Sequence, residues 1–179
     1  MIYFIFILVV VQRLVELVAA KRNERWMKSQ GAFEAGASHY PFMLALHIGF
    51  FLSLLVETIL FDRSLSPFWP LLLTLFLVAQ GFRIWCLVSL GKYWNTKILI
   101  LPGANVVRKG PYKWLKHPNY VVVTIELLIL PLLFQAFVTA VLFSLLNGLM
   151  LAVRIPTEER ALKGSTNYRE VFEEQSDPG

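Results

Sequence analysis

The sequence predicts an all-α integral membrane protein: five transmembrane helices, a large polar loop after the third, and an amphipathic helix at the C-terminus. Three observations carry that prediction. Of 179 residues, 56% are hydrophobic and only 16% are charged, against about 25% charged in a typical soluble domain, and the mean hydropathy is +0.59. The apolar residues fall in runs long enough to cross a hydrocarbon core of about 30 Å. The basic residues gather in three segments that alternate with those runs. This composition excludes disorder and a nucleic-acid binder with a basic surface. A single cysteine, Cys86, excludes an intramolecular disulfide or a CxxC site and reads as buried apolar filler.

Residues 1–20 form the first span, interrupted by Gln12, Arg13 and Glu16. A leader peptide would carry basic residues before its apolar stretch, and none precedes Arg13, so a retained span is expected. Residues 41–60 form the second span and 67–90 the third, with Gln80 and Arg83 inside it. The 33 residues 121–153 hold only Glu126, Gln135 and Asn147 as strongly polar members. A single straight helix of that length would reach about 50 Å. Pro131 and Gln135 near its middle therefore predict two spans, about 119–134 and 136–154, turning at 134–136. Beyond them Pro156 should break the helix near Ile155. Thr157 would then cap a short helix carrying Glu158, Glu159 and Leu162, and Gly164 would end it. Ser165 would open another piece with Tyr168, Val171 and Phe172 on one side, giving a helical tail over 157–175.

Fourteen basic residues lie in segments 21–40, 91–118 and 154–179, and only Arg63 lies in the loops of the opposite side. That asymmetry predicts those three segments in the cytoplasm and Met1 outside. The whole chain then reads as one polytopic domain whose polar segments share a face.

Ionisable groups inside spans are expensive, so Arg13, Glu16, Glu57, Arg83 and Glu126 are expected either to line a pocket or to pair between helices. Arg13 and Glu16, three apart, can pair with each other. His39 and His47 lie about 12 Å apart along a helix, too far to share a metal ion, and no other spacing suits a metal. The informative stretch is 91–120. It carries six bases, no acid and five aromatics (Tyr93, Trp94, Tyr112, Trp114, Tyr120), with Pro102-Gly103 and Gly110-Pro111 forcing turns. A positive-inside loop would explain the charge but not those turns. His117 before Pro118 is held at the edge of a span, whose first backbone amides can receive a carboxylate.

Lys116-His117-Pro118-Asn119-Tyr120 after Gly110-Pro111-Tyr112, followed past a hydrophobic hairpin by Arg154-x-x-x-Glu158-Glu159, resembles the isoprenylcysteine carboxyl methyltransferase family. Gly81-x-Arg83 and Gly91-x-x-Trp94-Asn95 add to the likeness, which covers roughly 75–175. His39-Tyr40 followed by His47 is similar to a bacterial subgroup, some of whose members resemble alkylpyrone O-methyltransferases. The resemblance implies S-adenosylmethionine as cofactor, held by the loop between the third span and the hairpin. It places Ala104, Asn105, Val106 and Val107 along the cofactor, the first two through backbone contacts, and adds Tyr112, His117, Pro118, Asn119 and Tyr120. Glu158, with Glu159 beside it, takes the cofactor-binding glutamate position and Arg154 the acceptor-binding arginine position, so Arg154 and Glu158 carry the catalysis. Lys97 falls where some members place a polar cofactor contact. The implied acceptor is lipid-like, with a carboxylate or an acidic enol as the methylated group, entering sideways from the membrane lipids. Such an anion needs no general base. Arg154 and Glu158 could instead form an ordinary i,i+4 ion pair. Two alternatives stay open: an NADPH-dependent membrane reductase, because sterol-reductase relatives carry a His-Pro-Asn-Tyr and Arg108, Lys109 and Lys113 could meet the extra phosphate, and a non-enzymatic scaffold or channel.

Overall fold

The computed structural model describes residues 2–173. Five long helices follow the apolar runs: α1 (Ile2–Ser29), α2 (Tyr40–Leu60), α3 (Trp69–Leu90), α4 (Pro118–Leu133) and α5 (Phe137–Ser165). A short α6 (Tyr168–Phe172) closes the described chain. Met1 and the last positions of the expected 157–175 tail lie outside the described residues. The stretches Ala37–Leu60, Trp69–Tyr93 and Phe137–Ser165 are long and apolar enough to cross a membrane, and α4 is a shorter apolar helix. At most 28% of each crossing window is buried. Residues such as Leu71, Val88 and Leu149 therefore face outward, where acyl chains rather than water would meet them.

Local chemistry explains the helix ends. Pro41, Pro70 and Pro118 occupy the first turns of α2, α3 and α4, where a missing N–H costs nothing. The α4–α5 turn falls at 134–136, as the length of the apolar run predicts. Gln135 takes a left-handed φ of 56° there, and its side-chain amide donates to the carbonyls of Ser64 and Leu65, each at 3.2 Å. Glu57 accounts for its own burial. Its carboxylate accepts from the Val138 and Thr139 amides (3.2 and 2.8 Å) and from the Thr139 hydroxyl (2.7 Å), capping α5.

The other intramembrane charges form one buried cluster between α1, α3 and α4. Arg83 donates through Nε to Glu16 (2.7 Å) and through Nη1 to Glu126 (3.2 Å). Arg13 bridges the same two carboxylates at 2.7 Å each. Gln80 donates to Glu126 at 2.7 Å and accepts from Gln12 at 2.8 Å. Two cations and two anions thus cancel, and the pairing expected within α1 extends across three helices.

Two sequence expectations need correction. The fold is not purely helical: β1 (Phe33–Ala35) pairs antiparallel with β2 (Ile98–Ile100), Phe33 opposite Ile100 and Ala35 opposite Ile98. Strands of three residues are too short to show a period, and only the burial of all three β2 side chains marks the site. Pro156 does not break the last helix, and Thr157 does not cap a new one. α5 runs on to Ser165, and the Thr157 hydroxyl donates back to the Val153 carbonyl at 2.8 Å. Helix-favouring residues on both sides, and bonds made by Arg154 and Glu158 to other elements, outweigh the loss of one backbone donor. α6 is opened by Asn167 rather than Ser165.

Removing Arg83 should be the most damaging change in the membrane interior. Arg83→Met leaves two buried carboxylates sharing the single cation Arg13, one negative charge uncompensated, and the expected loss is about 3–5 kcal/mol, read as a lowered unfolding midpoint in detergent.

Candidate active site

The loop after α3 is fastened to the extension of α1 beyond residue 20. Asn23 donates to the carbonyls of Gly91 and Trp94 (3.2 and 2.8 Å), and Asn95 donates to the Ala20 carbonyl at 3.0 Å. Lys97 binds Glu24 and Glu34 at 3.0 and 3.1 Å, and the hydrogen bond to Glu24 raises its amine above the ordinary lysine value. Lys97 therefore reaches the site already committed to two carboxylates. Farther along, Gly110 takes a positive φ of 56° and packs on α3. A Cβ there would run into the Ser89 hydroxyl and come within 2.9 Å of Trp85 Nε1. This contact seats the turn Gly110–Lys113, and with it Tyr112, against Cys86 and Val122. Burial pushes the Tyr112 phenol well above its ordinary value, so it stays protonated.

Above the bundle, α4 and α5 bring together residues far apart in sequence. Tyr120 donates its hydroxyl proton to Glu158 at 2.6 Å and accepts from Arg154 Nε at 3.4 Å. Arg154 Nη2 donates to the Thr96 carbonyl at 2.9 Å. The His117 ring stacks on Tyr120 at 5.4 Å, and its Nε2 donates to Glu159 at 3.1 Å. Burial alone would raise the Glu159 carboxyl, but the hydrogen bond and charge of His117 outweigh it and hold the group below its ordinary value. Arg154 and Glu158 do not form the i,i+4 pair available to them. Each is held instead by other elements, with the Tyr120 hydroxyl between them. The first amides of α4 are less free than its sequence suggests, because those of Tyr120 and Val121 both turn to the His117 carbonyl.

A cavity of about 440 Å³ runs below this cluster. Tyr112, His117, Asn119, Tyr120, Arg154 and Glu158 line it, together with Trp94, Asn95, Thr96 and Lys97. Its walls then become apolar, with Met43, Val123, Met150 and Leu151 inside. Leu14 and Leu17 of α1 and Leu44, Ile48 and Leu52 of α2 line it while also being exposed on the outer surface, so it opens sideways between these helices. Ala104, Asn105, Val106 and Val107 are not brought to the cavity. The Val106 amide donates to Asn167 and the Gly103 amide to the Ser165 carbonyl, each at 2.8 Å, which ties that segment to the α5–α6 junction. Pro118 is buried behind the wall, and Glu159 reaches the site only through His117. Sequence reading passed over His47, Asn147 and the Thr96 carbonyl as parts of the site. A polar residue in an otherwise apolar helical face was the available signal for the first two.

A helical bundle with outward apolar faces and a polar cluster at one end defines a membrane protein with a buried site. A family model described as the isoprenylcysteine carboxyl methyltransferase (ICMT) family matches residues 72–164, and the chain belongs to that family of integral membrane methyltransferases. Among its relatives is the uncharacterized protein YpbQ of Bacillus subtilis (strain 168), 49% identical over 91% of this chain and 97% of that protein. Another is an uncharacterized protein of Haemophilus influenzae (strain ATCC 51907 / DSM 11121 / KW20 / Rd), 29% identical over 84% of this chain and 88% of that one. No solved structure matches the chain.

Replacing Gly110 by Ala tests how far the site depends on close backbone packing. The strained φ and the collision with Ser89 should lower stability by about 1–3 kcal/mol. Gly81→Ala is the control, since its Cβ would meet nothing within 4 Å. The comparison is read by thermal unfolding in the same detergent.

Proposed function

We propose that the chain is an S-adenosylmethionine-dependent O-methyltransferase acting at the cytoplasmic face of the membrane on the anionic oxygen, carboxylate or enol, of a lipid-like acceptor. The carrying observation is that one cavity joins a polar head, built from the family-motif residues, to an apolar slot that opens sideways between α1 and α2. The five-helix reading and the fourteen-to-one basic asymmetry support a cytoplasmic site.

The residues fit the cofactor. Trp94, Tyr112 and Asn119 line the cavity, and the buried Trp94 Nε1, Tyr112 hydroxyl and Asn119 Oδ1 have no hydrogen-bond partner among the described residues. A buried polar atom left so costs about 1–3 kcal/mol. A donor, a hydroxyl and an acceptor of this kind suit a carboxylate, a ribose diol and an ammonium. Glu158 adds an anionic acceptor, and the faces of Tyr120, Tyr112 and Trp94 suit a sulfonium without quenching it. When bound, S-adenosylmethionine supplies an electrophilic methyl group. The protein's own contribution is alignment. Arg154, anchored by Thr96 and Tyr120, holds the acceptor anion, and the Tyr120 hydroxyl keeps Arg154 and Glu158 apart so that each serves a different ligand. An acceptor already ionised at neutral pH needs no base beside it. A reductase has less support: Arg108, Lys109 and Lys113 do not line the cavity, so a second phosphate would not meet them there.

The test is methyl transfer from labelled S-adenosylmethionine by purified protein in detergent, with N-acetyl-farnesylcysteine and a long-chain triketide pyrone offered in parallel. Label is expected on at least one, and the one labelled names the acceptor class. Arg154→Ala and Glu158→Gln should each lower kcat/KM by about 10- to 100-fold, the worth of a charge-assisted hydrogen bond. The arginine change should fall mainly on the acceptor KM, and the glutamate change on S-adenosylhomocysteine affinity. No label together with no S-adenosylhomocysteine binding overturns the proposal.

A further inference from the structure

The turn Gly110–Lys113 has an outer side as well as an inner one. Inward, it gives Tyr112 to the small core formed with Cys86 and Val122. Outward, it leads straight into Trp114, which is 71% exposed and stands edge-on to Trp85 of α3 with ring centroids 5.8 Å apart. Trp85 belongs to the lipid-facing side of α3, next to the exposed Ile84 and Val88, less than two turns before the helix ends at Leu90. The tip of a polar loop thus folds back against a wall that acyl chains cover. A loop that only held positive charge on one side of the membrane would not need an indole there. Tryptophan suits the headgroup level, where its ring meets chains and its N–H meets polar groups.

The charge around this tip has one sign. Lys109 and Lys113 flank the turn, are exposed, and have no ion-pair partner among the described residues. No acidic residue occurs anywhere from Gly91 to Pro118. Of the acids that follow, Glu158 is taken by Tyr120, Glu159 by His117 and Glu173 by Lys163. Neither lysine and neither indole lines the cavity, so this surface is separate from the site above.

We infer that Trp85, Trp114, Lys109 and Lys113 form a docking surface for an anionic phospholipid of the adjoining leaflet. The lysines meet the headgroup and its phosphate, and the two indoles rest against the upper part of the acyl chains. A zwitterionic phospholipid offers the same phosphate and the same chains, but its own cation repels the lysines. Net headgroup charge therefore decides between them. The surface does not depend on the methyltransferase reading.

The test uses the full chain in nanodiscs of phosphatidylcholine with a minority of phosphatidylglycerol, one lipid or the other carrying bromine on its acyl chains. Bromine quenches tryptophan fluorescence on contact, and the part of the quenching lost in Trp114→Phe belongs to Trp114. Per molecule of lipid present, brominated phosphatidylglycerol should quench Trp114 about fivefold more than brominated phosphatidylcholine, the enrichment that one basic side chain near an anionic surface gives. Lys109→Gln combined with Lys113→Gln should bring that ratio close to one. Lys21→Gln combined with Arg22→Gln removes the same charge from two exposed positions of α1 and should leave the ratio unchanged. Equal quenching by the two lipids in the unaltered protein overturns the docking surface. So does a ratio that survives the loss of Lys109 and Lys113, and so does one that the α1 pair lowers as far, because the general positive field would then be its cause.

Discussion

The Arg83 guanidinium lies between the carboxylates of Glu16 and Glu126, and most of the arrangement above it follows from that contact. In a bilayer the apolar faces of helices gain little by meeting one another, because lipid tails are as apolar as leucine. Apolar packing alone would let α1, α3 and α4 slide or rotate at small cost. A neutral four-charge cluster, completed by Gln12 and Gln80, has one register in which every group is paired. With the depth of α1 set in this way, its extension past residue 20 arrives where Asn23 and Ala20 can hold Trp94 and Asn95.

The second constraint is the continuity of α5 through Pro156. A break at Ile155 would have left Arg154 on the membrane helix and Glu158 on a separate surface piece. An unbroken helix places both on one rigid element, with Tyr120 of α4 set between them. The groups proposed to hold the two substrates are therefore fixed relative to each other by backbone geometry. The distance between them is not left to a loop, which matters where alignment is the main catalytic device.

The polar layer that fastens the bundle also borders the cavity, since Arg13, Glu16 and Arg83 belong to both. Structural and ligand-facing polarity share one depth in the protein. The cluster consumes its own donors and acceptors, while His47 and Asn147, on the wall of the same cavity, are bonded to the Met43 carbonyl and the Thr124 hydroxyl.

Much of this was legible before any coordinates. The five apolar runs, the turn at 134–136 and the burial of Cys86 follow from composition, length and turn chemistry, which act locally along the chain. The spaced motif from Gly110 to Tyr120, with Arg154 and Glu158, pointed to the family because each short pattern sits on the same side of a span. Other features depended on groups distant in sequence. Whether the intramembrane charges pair within a helix or between helices, whether Pro156 ends α5, and that Phe33 meets Ile100 are settled by which elements come to lie side by side. So is the separation of Arg154 from Glu158 by a tyrosine 34 residues earlier. Local sequence sets which segments are helical and apolar. Only the packed bundle decides which of their few polar atoms find partners and which are left facing the cavity.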